Sequence, residues 1–132
     1  MENLFDRYKK ELEEDLKLDD FNLKDTQLRL PTLKHKWVAR LIDAKIEKNR
    51  LIELRKEAII KVIETIRSEK PITVSDRLLI QHAEQNEIIV KIDKQIKMCD
   101  LIIDYLEKVE VICKNTTFDI KNVIEIRKLQ LL

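Results

Sequence analysis

With 132 residues, 44% of them hydrophobic and 39% charged, the chain can build one modest core, and self-association would help it bury the rest of its apolar surface. The absence of glycine and the presence of only two prolines exclude folds built on tight glycine turns and point to a few long helices in one domain. A formal charge of +1, from 26 basic and 25 acidic side chains, excludes a chain-wide field for polyanions, so a charge-driven role requires local concentration.

Leu4, Tyr8, Leu12 and Leu16 recur every four residues while Glu11, Glu13, Glu14 and Asp15 take the other faces, which predicts an acidic amphipathic helix over residues 1–18. Such a helix either docks on another surface or lies on its own protomer; the second is the plainer expectation. No basic segment leads into an apolar run, and no uncharged stretch approaches the roughly 20 residues that span a bilayer, so a soluble, cytosolic protein without membrane contact is expected.

Residues 19–31 carry the cap-type residues Asp19, Asn22, Asp25 and Thr26 and read as a connector. Leu30 stands before Pro31, which places the start of the first long helix at Pro31 or Thr32, running to residue 69. There Trp37, Leu41, Ala44, Lys48, Leu51, Arg55, Ala58 and Val62 alternate steps of four and three, the period of a coiled-coil seam. Lys48 and Arg55 interrupt this seam; they are expected to snorkel to its edge, the alternative being an acidic partner across it. Residues 26–70 hold twelve basic and six acidic side chains, so the chain's positive charge is concentrated in this helix.

The pair Thr73 and Asp76 predicts a cap for a second long helix over residues 75–114, with a seam of Ile89, Ile92, Ile96, Cys99, Ile103, Leu106 and Cys113. Its acidic excess complements the first arm. Asn115, Thr116 and Thr117 are expected to end it, with Thr116 and Asp119 opening a last helix over 118–131. Phe118, Ile120, Val123, Ile124 and Leu129 make that helix too apolar to stand alone in water, so it is assigned an intersubunit role, and deleting residues 118–132 is expected to shrink the oligomer. The fold expected is all-α: a long helical hairpin with shorter N- and C-terminal helices.

Candidates for catalysis or ligation are limited to His35, His82, Cys99 and Cys113, scattered along helices without a nucleophile, base and orienter that converge. Cys99 and Cys113 lie four helical turns apart and read as reduced thiols rather than a disulfide. No phosphate loop or metal spacing is present, so neither enzyme, cofactor nor metal is expected.

Two stretches carry a family resemblance. Leu28-Arg29-Leu30-Pro31-Thr32-Leu33-Lys34-His35-Lys36-Trp37 matches a Pro-x-Leu-x-x-Lys-aromatic opening of a long helix, and Ile103-Asp104-Tyr105-Leu106-Glu107-Lys108-Val109 is followed by Phe118-Asp119-Ile120-Lys121-Asn122-Val123-Ile124-Glu125-Ile126-Arg127-Lys128. Together with the acidic N-terminal helix they resemble, in order and length, the UvsY-type recombination mediators of large tailed phages. The resemblance implies a ring-like homo-oligomer, a hexamer or heptamer, acting in DNA recombination and repair in the cytoplasm of the infected bacterial host. It further implies single-stranded DNA as ligand, and a single-strand-binding protein that gives way as a RecA-like recombinase is loaded.

The family's basic pair near the end of the long helix aligns with Ile60 and Val62 in this chain, and its aromatic pair with Thr65 and Ile66. The DNA-binding role therefore passes to the neighbouring Lys56, Lys61, Arg67 and Lys70, with Lys34, Lys36 and Arg40 second. The alternative is a non-enzymatic helical coiled-coil adaptor or assembly protein whose basic helix docks an acidic one, such as the N-terminus of a neighbouring subunit.

Overall fold

The computed structural model describes residues 3–19, 21–69 and 74–131, and all regular structure among them is helical: α1 (Leu4–Asp15), α2 (Leu23–Glu69), α3 (Asp76–Ala83) and α4 (Glu87–Gln130). Two compact units can be distinguished, Met1–Ile42 with Asp104–Leu132 and Asp43–Ile103.

In the first unit, α1 begins where Asn3 accepts a hydrogen bond from the Asp6 N–H. It buries Leu12 and stacks its aromatics edge-on against the other elements: Phe5 on Tyr105 with ring centroids 5.1 Å apart, and Tyr8 on Trp37 at 5.5 Å. A second apolar cluster joins Leu23, Leu30 and Ile120, flanked by Leu16, Leu18, Val123 and Ile124.

That cluster explains two departures from the expected boundaries. First, α2 starts at Leu23, not at Pro31, and Pro31 lies inside the helix. Proline removes one N–H and crowds the preceding turn, which costs about 3 kcal/mol. Here the helix on both sides of it is held by buried Leu23, Thr26, Leu30 and Leu33. Both Pro31 and Gln27, whose carbonyl loses its partner, are exposed, so water can replace the missing donor. Second, no stop occurs at Asn115–Thr117. Thr116 and Thr117 donate their hydroxyls to the carbonyls of Ile112 and Cys113, four residues back, at 2.9 and 3.2 Å, and so stay within the helix. Burial of Ile120 just beyond them carries α4 onward, so residues 118–131 are the end of α4 and not a helix of their own.

In the second unit, α2 and α4 run antiparallel, as partners rise in number on one and fall on the other: Lys48 with Asp100 and Arg55 with Asp93, each at 2.6 Å. Leu51, Leu79, Ile89, Ile92, Ile102 and Ile103 form the apolar interior. The two cations in the seam therefore meet carboxylates across it and do not merely snorkel, because the acidic arm places an aspartate opposite each.

The expected helix over 75–114 is broken. Thr73 lies outside the described residues; α3 is capped by Ser75, whose side chain accepts from the Leu78 N–H, and it ends at Ala83. The N–H groups of Gln85 and Asn86 then turn back to the carbonyls of His82 and Ala83. Asn86 accepts the Ile88 N–H with its side chain and the Val90 N–H with its carbonyl, so it caps a new helix, α4, where a continuous apolar period suggested none.

Candidate nucleic-acid interface

The cations chosen from sequence fall into different settings. Lys36 and Arg40 are already engaged within the first unit. Lys36 Nζ lies 3.0 Å from Glu11 and 2.5 Å from Asp15, and Arg40 donates to Glu11 at 2.7 Å. Asp15 also accepts from the Trp37 indole N–H at 3.1 Å, and the Arg40 guanidinium lies over the rings of Tyr8 and Trp37, 4.9 and 4.8 Å from their centroids. The Arg40 hydrogen bond, assisted by Lys36 and opposed by partial burial, holds the Glu11 carboxyl down at about 2. The acidic helix thus lies on its own protomer. Lys34 is exposed and lines a cleft beside Trp37.

In the second unit, Lys56 and Arg67 are eleven residues apart on α2 and share a face, while Lys61 projects about a third of a turn away. Both face-sharing cations make exposed ion pairs, Lys56 with Glu53 at 3.2 Å and Arg67 with Asp76 at 2.6 Å. Pairs of this kind are worth little and exchange readily for a phosphate. Lys61 lines a separate groove of about 600 Å³ together with Thr65, Glu69, His82, Gln85 and Asn86, a set of polar groups in which one carboxylate shares the groove with the ammonium group. Lys70 lies outside the described residues.

Sequence reading passed over Lys91, Lys94 and Lys97, because they sit on the arm whose net charge is negative. All three are exposed, and their three-residue spacing makes a cationic ridge along α4. The signal was present as a spacing and was hidden by the sum. Net charge cannot point to one unit either: the second holds twelve basic against eleven acidic side chains, the first fourteen of each.

The residues assigned to an oligomer interface also divide. Ile120 is 0% exposed, and Val123 and Ile124 pack on the same cluster, so these three serve the protomer's own core. Deletion of 118–132 would therefore remove core packing and not an intersubunit surface alone. Phe118 and Leu129 are 55% and 70% exposed and, with exposed Val111, lie on the side of α4 away from Ile120.

The sequence model of the family described as "Recombination, repair and ssDNA binding protein UvsY" matches residues 11–131. The chain belongs to the UvsY family. Crystal structures of the bacteriophage T4 recombination mediator protein UvsY share its fold: one crystal form superposes with a TM-score of 0.81 at 16% identity, covering 97% of this chain and 99% of that one. A second form gives 0.79 at 16% identity over 100% of both chains. No curated protein matches the chain. At this identity the T4 protein fixes the UvsY helical fold but not the positions of contact residues.

Proposed function

We propose that this chain is a recombination mediator: it binds single-stranded DNA through the phosphate backbone and promotes loading of a RecA-like recombinase in place of single-strand-binding protein. It works as a ring-like homo-oligomer in the cytoplasm of an infected bacterial host. The observation that carries this reading is the family match over residues 11–131. The exposed cations support it. Lys61 in its groove, the Lys91–Lys94–Lys97 ridge, and the exchangeable Lys56 and Arg67 supply positive charge that neutralises phosphates without reading bases. Lys36 and Arg40, tied to α1, are set aside as first contacts. Self-association adds effective concentration, so individually weak sites act together along one strand. The exposed Phe118 and Leu129 are part of the surface that associates.

Affinity for single-stranded DNA should fall steeply between low and moderate salt, with little preference among base compositions. A pre-formed complex of DNA with its single-strand-binding protein should accept recombinase faster when the chain is present. Flat salt dependence, or no acceleration of filament formation, would refute the proposal.

A further inference from the structure

Phe21 is 97% exposed, more than any other large apolar side chain among the described residues. Its backbone is tied down. Asp19 Oδ1 accepts from the N–H groups of Phe21 and Asn22 at 2.8 and 2.9 Å, Asn22 Oδ1 accepts from the Asp19 N–H at 2.8 Å, and Asn22 Nδ2 donates to the Lys17 carbonyl at 2.8 Å. Four hydrogen bonds hold a phenyl ring in water, where it loses the favourable transfer of its apolar area. Acidic residues surround it in sequence, Asp19 and Asp20 before it and Asp25 after it. That charge repels a phosphate backbone and argues against the ring as a platform for bases.

The same unit contains a receptor of complementary character. A cleft of about 440 Å³ is walled by Trp37, Val38, Leu41, Leu106, Val111 and Cys113, a size typical of ligand sites. Exposed Lys34 and Lys114 stand at its edge against one carboxylate, Glu110. The chain's own Phe21 does not fill it, being in water and more than three helical turns from Trp37 along α2.

We infer that Phe21 of one copy inserts into the Trp37 cleft of a second copy, with Asp19 and Asp25 meeting Lys34 and Lys114. The inference rests on the homo-oligomer reading above and specifies its contact. Knob and cleft are different surfaces, so the contact is heterologous and passes from copy to copy, which gives a ring where its rotation closes. Val111, at the cleft's edge, leads onto the exposed face of Phe118 and Leu129, which extends the contact.

Sedimentation velocity on the full chain tests this. Phe21→Ala should weaken self-association about thirtyfold, as loss of a central aromatic anchor does, with an unchanged helical spectrum because the ring touches nothing in its own protomer. Val111→Trp, which fills the cleft from an exposed position, should weaken assembly similarly. An equimolar mixture of the two should then form dimers and stop there, since each pair retains one intact knob and one intact cleft. Lys34→Glu with Lys114→Glu, both exposed, is a second cleft-side variant and should also weaken assembly. If the wild-type chain assembles and Phe21→Ala assembles equally well, this contact is wrong while the oligomer stands. A mixture that yields no dimers also refutes it. A monomeric wild-type chain would remove the oligomer reading itself.

Discussion

The two units of this protein are built from the same two long helices but cohere by different means. All six aromatic residues belong to the first unit, where Trp37 is packed by Tyr8, capped by Arg40 and tied through its indole to Asp15. The second unit has no Phe, Tyr or Trp; its aliphatic seam is crossed by the Lys48–Asp100 and Arg55–Asp93 pairs. This difference separates two kinds of interaction. Contacts through Phe, Tyr or Trp rings can arise only in the first unit, which also holds the exposed Phe21 and Phe118. What the second unit offers a nucleic acid is mainly charge and hydrogen bonding, with the His82 imidazole as its one planar ring.

The largest expected effect breaks the first unit while sparing the second. Trp37→Ala removes a side chain that is 2% exposed and strands the Asp15 and Arg40 contacts, a loss of about 3–5 kcal/mol. Hydrogen exchange should show α1 losing protection while amides near Leu51 and Ile92 keep theirs. Uniform loss across both units would mean that they are energetically one.

Next in size is the charge test of the second unit. Replacing Lys61, Lys91 and Lys94 by Gln should lower affinity for single-stranded DNA by about a hundredfold at low salt and flatten the log–log salt dependence by about two, because each removed phosphate contact releases fewer ions. Oligomer size should not change, since none of these residues belongs to the first unit's knob or cleft. Unchanged binding would move the DNA contact to the first unit, where stacking on Phe, Tyr or Trp would then be possible.

Much of this arrangement was legible in the sequence, and what was missed has identifiable causes. The four-residue stripe of α1, the coiled-coil seam of α2 and the opposite charges of the arms all rest on periodicity, and the helices follow it. The boundaries failed where a local signal met tertiary burial. Pro31 reads as a helix start and Thr116–Thr117 as a stop, yet the packing of Leu23, Leu30 and Ile120 carries both helices past those points. At Asn86 the error ran the other way, since a single side-chain cap breaks a helix that the apolar pattern would have continued. Candidate site residues were less legible. Counting charge on a helix does not show which cations are consumed within the protomer, as Lys36 and Arg40 are, nor that Lys61 and Lys56 point different ways.

A smaller effect tests how the second unit coheres. Arg55→Met keeps the aliphatic stem but leaves Asp93 without its cation, so stability should drop by about 1–2 kcal/mol. The double change with Asp93→Leu should recover most of that, because two apolar groups in the seam need no partner. Chemical denaturation of the four proteins of this cycle reads the coupling directly. Additive losses would show that the pair contributes nothing to the seam beyond its packing.

The smallest expected effect is a pH dependence confined to the first unit. Glu11 falls from an ordinary value of 4.5 to about 2 on folding, so the folded protein holds its carboxylate more firmly ionised than the unfolded chain does. A depressed acid contributes its full stabilisation above about 4.5 and loses it as the pH drops towards about 2. The Lys36 and Arg40 contacts remain partly exposed, which limits the contribution to about 1 kcal/mol. Glu11→Gln should therefore be less stable than the parent at neutral pH, with the gap closing below pH 3, and α1 exchange should report it while the second unit does not. If the gap persists in acid, Glu11 acts through packing and the charge pairing of α1 with α2 is incidental.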